Sequence, residues 1–157
     1  MSLQEEIRLC KKCQLCTKME TSPVPPEWVG QPKVMFITDT LISMHHDFEQ
    51  TPLIGINRIR FIQLIEKYFT EWYITPLVKC SPKNSTYTQA DYKICTEWIT
   101  EEIKRVKPKI IVGCGKVPKY IKCDYETMSA ARIIQSKKNE EAFEVILKEI
   151  SNGCEFQ

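Results

Sequence analysis

Eight cysteines constrain this chain of 157 residues more than any other feature of its sequence. Cys13 and Cys16 form a C-x-x-C pair near the N-terminus, and the isolated cysteines Cys80 and Cys95 follow far downstream. Because thiolates are soft ligands for iron and zinc, this spacing predicts a metal centre that joins the N-terminus to the middle of the chain. A zinc ribbon would have a second C-x-x-C pair downstream, and a bacterial ferredoxin would have a C-P step, but the sequence has neither.

A buried thiol is the alternative interpretation of each cysteine, because free cysteine is a common core residue. It is the favoured interpretation of Cys114, Cys123 and Cys154. The sequence has no signal-peptide pattern and no apolar run of ~18 residues, so we expect neither export nor a membrane span. Eight cysteines then indicate a reducing, cytoplasmic compartment, where metal binding is favoured over disulfides. The net charge of +2 does not by itself indicate nucleic-acid binding.

Strand and helix patterns alternate along the chain. Apolar runs predict strands at 33–38, 72–78, 109–112 and 131–135, and apolar periodicity predicts helices at 2–16, 55–69, 88–106 and from Asn139 onward. Prolines predict a loop over 17–32, and Pro76 predicts an edge position or an early end for the second strand. The alternation predicts an α/β fold of three αβα layers with a four-stranded parallel sheet, in a single domain over 1–157.

The order of these motifs resembles the iron–sulfur uracil-DNA glycosylases of the family-four type. The resemblance rests on CKKCQLC at 10–16, KVMFIT at 33–38, the loop at 52–55, YITPLVKC at 73–80, SPKNS at 81–85 and PKIIVGCG at 108–115. It covers about residues 8–115 and implies a uracil-DNA-glycosylase-like fold. It also implies a structural [4Fe-4S] cluster held by Cys13, Cys16, Cys80 and Cys95, with Cys10 outside the ligand set.

The resemblance implies a site for a flipped base, and here the sequence departs from the family's pattern. The loop that would hold the attacking water offers only Asp39, with Asp47 at a second acidic position. Leu53 stands where the family has an aromatic residue that stacks on uracil, and Asn84 matches the asparagine that reads its edge. We expect a pocket at the carboxyl ends of the strands, lined by these four residues and Ser136.

The family also carries a histidine motif after its last strand, and the predicted counterpart at 135–139 has no histidine. Ser136, Lys137 and Lys138 are the candidate DNA contacts there, since two lysines near a helix N-terminus can hold a phosphate; the alternative is a solvated surface. The two histidines, His45 and His46, are interpreted as an exposed loop pair, with catalytic replacement as the alternative.

Three functions fit the sequence. The favoured hypothesis is a glycosylase-like protein with a degraded catalytic site that binds DNA or a replication or repair partner. The second is a divergent, active DNA glycosylase that excises uracil or another base with Asp39 or Asp47. The third is an interaction module that does not bind DNA.

Overall fold

A computed structural model describes residues 1–12, 23–39, 51–80 and 87–153 of the chain. The helices in these ranges are α1 (Leu3–Arg8), α2 (Gly55–Glu66), α3 (Gln89–Val106), α4 (Ala130–Ile133) and α5 (Lys137–Gly153). The strands are β1 (Glu27–Val29), β2 (Val34–Thr38), β3 (Trp72–Pro76), β4 (Ile110–Cys114) and β5 (Tyr125–Thr127). A 3-10 helix, Val117–Lys119, follows β4. None of the described helices is long and apolar enough to cross a membrane.

The described strands form one mixed sheet in the order β1-β3-β2-β4-β5. β2 lies at its centre, where Phe36 is opposite Ile74 on β3 and Val112 on β4. β3, β2, β4 and β5 run parallel, and β1 pairs antiparallel with β3. Pro76 is the last residue of β3, which is an internal strand, so the proline ends the strand early rather than marking an edge.

The predicted α/β fold with four parallel strands is confirmed, but the fourth strand was wrongly placed. Residues 131–135 do not form a strand, since Ala130–Ile133 is the helix α4. Ala130 and Ile133 are both buried, and a spacing of three residues places two side chains on one face of a helix. The fourth parallel strand is Tyr125–Thr127. The strand β1 lies in a region that was predicted to be loop.

The two faces of the sheet carry separate cores, which gives the predicted three layers. Side chains alternate along β2, so Phe36 faces α2 and α5 while Ile37 faces α3. Phe61 of α2 and Phe143 of α5 stack on each other with their ring centroids 5.2 Å apart, and both pack edge-on to Phe36. On the other face, Ile99 of α3 is fully buried. The sheet is therefore covered on both sides.

Capping side chains fix where the helices begin. The backbone N–H of Asp91 donates to Oγ1 of Thr88 at 3.2 Å, and the Thr88 N–H donates to the Asp91 carboxylate at 2.8 Å, which confirms the predicted start of α3. α5 begins at Lys137, because the hydroxyl of Ser136 accepts from the N–H of Asn139 at 3.1 Å. The predicted cap at Asn139 is therefore wrong. α1 ends at Arg8, well before the predicted end at residue 16.

Candidate active site and metal centre

The carboxyl ends of β2, β4 and β5 bring three residues to one edge of the sheet. Asp39 follows β2, Gly115 follows β4, and Met128 follows β5. The backbone N–H of Gly115 donates to the carbonyl of Thr127 at 2.9 Å, which holds the ends of β4 and β5 together. Open α/β sheets bind their ligands at this edge. The fold therefore places the predicted acid, Asp39, where a site is expected.

The Asp39 carboxyl packs directly onto Gly115. A Cβ built on Gly115 would overlap this carboxyl group. Gly115 also has a left-handed φ of 59°, a conformation that side chains disfavour. Glycine alone has no Cβ and tolerates a left-handed backbone. A glycine after β4 therefore lets the Asp39 side chain pack directly against the main chain.

An open cleft adjoins this pair. It is lined by Gly115, Pro118, Lys119, Glu126, Thr127 and Met128. Lys119 is exposed in the 3-10 helix, and Met128 is half-buried and packs against the core on the α2 and α5 face. The cleft therefore combines a cation, a carboxylate and a thioether, and no imidazole is among its described lining residues.

The charge of Asp39 acts on neighbours on both sides of the sheet. Burial raises the pKa of the Cys114 thiol well above its ordinary range, and the nearby Asp39 carboxylate adds to this rise. Burial is also the main cause that raises the pKa of Tyr92, and the nearby Tyr120 and Asp39 raise this pKa further. Tyr92 and Tyr120 stack with ring centroids 4.7 Å apart. Cys114 is therefore a neutral buried thiol, which fits its favoured interpretation.

Of the other residues predicted for the base pocket and its loops, the structure describes only some. Leu53 is buried in the core that faces α2 and α5, and its carbonyl accepts from the Thr51 hydroxyl at 2.6 Å. Asp47 and Asn84 lie outside the described residues, as do His45 and His46. The sheet edge thus carries Asp39, while Leu53 packs in the core beneath α2.

Ser136, Lys137 and Lys138 were predicted as the loop after the last strand, and this placement is corrected. They form the cap and first turn of α5, and the last strand ends at Thr127. Ser136 and Lys137 line a separate groove whose other charged lining residues are Arg60, Lys67, Glu140, Glu141 and Glu144. Its three cations balance its three carboxylates, so the net charge of this groove neither favours nor opposes DNA. DNA contact by the two lysines remains a prediction.

Met128 lines the cleft, and the sequence reasoning did not single it out. It follows the last parallel strand, where the resemblance implies a histidine motif, and Ser129 comes next. The short run Tyr125–Thr127 has an aromatic and a β-branched residue at alternating positions, which is the signal that could have identified this strand. The sequence pattern instead favoured the more apolar run that forms α4.

Two of the four predicted metal ligands lie in the described residues, and both are buried in one cluster. Cys80 follows the end of β3 and is 2% exposed, and Cys95 is 3% exposed on α3. Both belong to the core between the sheet and α3. Cys13 and Cys16 lie outside the described residues. Among the described residues no group of three or more His, Cys, Asp and Glu side chains could hold a metal ion.

The chain just before Cys13 is docked on α3. The ammonium of Lys12 contacts the Glu97 carboxylate at 3.1 Å and lies 4.7 Å from the ring centroid of Trp98. The indole of Trp98 donates to the sulfur of Cys10 at 3.1 Å. The helix that receives these contacts is the helix that carries Cys95. The exposed ion pair contributes little stability, but together these contacts set where the segment lies.

The structure is that of an α/β protein whose parallel strands β2, β4 and β5 carry an acid and a cleft, a candidate ligand site, at their carboxyl edge. Residues 31–150 match the family model described as the uracil DNA glycosylase superfamily. The chain therefore belongs to the uracil-DNA glycosylase superfamily, as a member of its family-four type.

Relatives at about 30% identity support this assignment. The chain is 29% identical over 119 residues to a type-4 uracil-DNA glycosylase of Saccharolobus solfataricus, an alignment that covers 73% of this chain and 54% of the relative. It is 30% identical over 119 residues to the type-4 uracil-DNA glycosylase of Sulfurisphaera tokodaii, with 73% and 53% covered. A type-5 uracil-DNA glycosylase of Pyrobaculum aerophilum is 36% identical over 45 residues, or 29% of this chain and 20% of the relative. The chain spans about half the length of the type-4 relatives.

Proposed function

We propose that this chain is an iron–sulfur uracil-DNA-glycosylase-like protein that binds DNA, or a replication or repair partner, without excising uracil. The observation that carries the proposal is Met128 at the end of the last parallel strand, lining the cleft beside Gly115. The resemblance implies a histidine there that stabilises the departing uracil anion. A thioether carries no charge and donates no hydrogen bond, so it cannot replace that histidine.

A second observation concerns the wall of the base pocket. The family's stacking aromatic corresponds to Leu53, which is 7% exposed and packs in the core. Stacking on an aromatic ring stabilises a bound base by roughly 1–3 kcal/mol. A leucine has no π-face, so a flipped uracil would be held less firmly even if it entered the cleft.

The described cysteines support the proposed [4Fe-4S] cluster. Cys80 and Cys95 are buried in one core cluster, and Lys12, next to Cys13 in the sequence, contacts Glu97 on the helix that carries Cys95. The two thiols, with the two in the preceding pair, make an all-thiolate donor set, which suits iron–sulfur clusters. When bound, the cluster would crosslink the N-terminal segment to the sheet and take no part in the chemistry at Met128.

Single-turnover cleavage of a uracil-bearing oligonucleotide by anaerobically purified protein tests the catalytic part. We expect no product, in single-stranded or double-stranded substrate, under conditions in which a type-4 relative cleaves. Product formation would contradict the proposal. A binding titration with the same oligonucleotides at increasing salt tests the DNA part, because neutralised phosphates make the affinity fall as salt rises. The absence of such binding would favour the protein partner or the interaction module.

The placement of Asp39 supports the second candidate, a divergent active glycosylase. Its carboxyl is held against Gly115 at the carboxyl edge of the sheet, where it could orient a water molecule. The two candidates differ in one measurement, since an active enzyme would lose cleavage in Asp39→Asn. A protein without activity would show the same background before and after this change.

A further inference from the structure

A buried ion pair joins the chain just after β3 to α3, and the proposed function does not use it. The ammonium of Lys79 is 2.8 Å from the carboxylate of Glu102, and the two side chains are 1% and 0% exposed. The same ammonium donates to the hydroxyl of Thr75 at 2.6 Å and to the carbonyl of Pro76. A lysine ammonium has three donors, so each of them has a partner here.

The carboxylate of Glu102 is equally well satisfied. One oxygen accepts from Lys79, and the other accepts from the hydroxyls of Tyr73 at 2.8 Å and Thr75 at 2.6 Å. Burial raises the pKa of Tyr73, and the charge of Glu102 adds to this rise, so the hydroxyl keeps its proton and donates. The ion pair is thus part of a hydrogen-bond network in which Tyr73 and Thr75 of β3, and Lys79 just after it, all contact Glu102 on α3.

Each charged residue of the pair lies on the same stretch of chain as one predicted cluster ligand. Cys80 directly follows Lys79, and Cys95 lies two turns before Glu102 on the same buried face of α3, about 10 Å along the helix axis. The main chain is held as well, since the carbonyl of Lys79 accepts from the N–H of Val24 at 2.7 Å and that of Cys80 accepts from the hydroxyl of Tyr87 at 2.8 Å. The network therefore fixes the backbone of Cys80 relative to the helix of Cys95.

We infer that Lys79 and Glu102 are positioning residues for the iron–sulfur cluster, because their ion pair sets the separation of Cys80 and Cys95. This inference rests on the cluster in the proposed function. A buried ion pair is a weak source of stability, since a well-packed apolar pair often serves as well. An apolar contact would let α3 slide along the sheet, whereas the hydrogen bonds of this network are satisfied in one register only. A cluster held by Cys80 after β3 and Cys95 on α3 needs α3 to keep one fixed position along the sheet.

The double variant Lys79→Met/Glu102→Gln tests the inference. The glutamine oxygen can still accept from Tyr73 and Thr75, so the variant removes the link and keeps the buried hydroxyls bonded. Three quantities are measured on anaerobically purified protein: iron per chain, the rate of iron release to a chelator, and the urea midpoint of the metal-free form. We expect iron release about tenfold faster than in the wild type, the lower end of the effect of outer-shell residues at metal sites.

Two controls separate positioning from stability. Arg60→Met/Glu140→Gln removes an ion pair between α2 and α5 on the opposite face of the sheet. Phe61→Leu weakens the core on that same face and is chosen to lower the urea midpoint. We expect both controls to release iron at the wild-type rate. Faster release in the controls, in proportion to their loss of stability, would overturn the inference in favour of a purely structural role.

The remaining outcomes are also decisive. A double variant that keeps its iron as long as the wild type does would overturn the inference alone and leave the cluster standing. A wild-type protein that purifies without iron would overturn the proposed cluster and the inference together. If the double variant does not fold, Glu102→Gln alone removes the carboxylate charge that pairs with Lys79 and keeps an oxygen that can accept from Tyr73 and Thr75. Faster iron release is then expected, and an unchanged rate would overturn the inference.

Discussion

The carboxyl group of Asp39 lies against the backbone of Gly115, although these residues follow two different strands of the sheet. The contact leaves no room for a Cβ and coincides with a left-handed backbone at Gly115. An acid held in this way is fixed relative to the cleft beside Met128. The contact makes Gly115 part of the candidate site, and mutation of the two residues can test it.

Gly115→Ala should destabilise the protein by about 1–3 kcal/mol, because alanine is strained at this φ and its Cβ meets the Asp39 carboxyl. The loss should be smaller in an Asp39→Ala background, where only the backbone strain remains. Urea unfolding of the four proteins gives the coupling energy between the two positions. Gly153→Ala is the matched control, since a Cβ there meets nothing within 4 Å. Additive losses for Asp39 and Gly115 would contradict the contact.

Met128→His should restore little uracil excision. A single charge-stabilising donor changes rates by about 10²–10³-fold in other enzymes, and the losses at Leu53 and in the Asp39 loop would remain. The measurement is single-turnover cleavage by wild type, Met128→His and Ser136→His. Because Ser136 caps α5 and lies outside the cleft, its variant should stay at background. Strong activity of the wild type that disappears in Asp39→Asn would show a divergent enzyme instead.

Cys80→Ser should lose the cluster and lower stability, because a cluster that joins the N-terminus to β3 closes a long loop. Iron and sulfide content, visible absorbance and thermal unfolding are the measurements. Cys114→Ser is the matched control: it changes a buried thiol on β4, and it should keep the iron. Stoichiometric zinc in colourless, anaerobically purified wild type would refute the cluster.

Cys10→Ser should keep full iron content. The sulfur of Cys10 accepts a hydrogen bond from the Trp98 indole, so it already has a partner on α3. The serine hydroxyl can accept the same bond, and the docking of the N-terminal segment should persist. Iron analysis of Cys10→Ser and Cys13→Ser decides the assignment. Iron lost in the first variant and retained in the second would reverse the roles of these two cysteines.

Arg60→Gln should lower stability near neutral pH and have no effect in acid. The hydrogen bonds from Arg60 to Glu140 hold the pKa of that carboxyl below its usual range, against a smaller opposing effect of desolvation. A lowered carboxyl pKa contributes stability above the unfolded-state pKa, and the contribution is lost as pH falls through the folded-state pKa. Urea midpoints at several pH values and low salt measure the difference, with Lys138→Gln as a surface control. A difference that grows in acid would contradict this assignment.

The central strands could be predicted from the sequence because they are buried on both faces. β2, β3 and β4 are apolar runs, and such runs are typical of parallel strands inside a sheet. β5 is three residues long and half-exposed, so its pattern is weak. The run at 131–135 is short and apolar, and periodicity cannot separate a strand from a helix turn in such a run.

Only the parts of the candidate site that depend on local sequence motifs could be predicted. The acid after β2 and the cysteines at Cys80 and Cys95 follow from motifs that are local in sequence. The contact between Asp39 and Gly115 and the ion pair between Lys79 and Glu102 are tertiary, and no local pattern indicates them. Met128 was missed because its place depends on where β5 ends.

The segment with the first two predicted ligands is anchored at both of its ends by contacts that need no metal. Lys12 lies on α3 before it, and the N–H of Val24 bonds to the carbonyl of Lys79 after it. We therefore expect that the polypeptide folds first and that the proposed cluster is inserted afterwards into a preformed scaffold. A cell that is short of iron would then accumulate a folded precursor that awaits its metal rather than an unfolded chain that is marked for degradation.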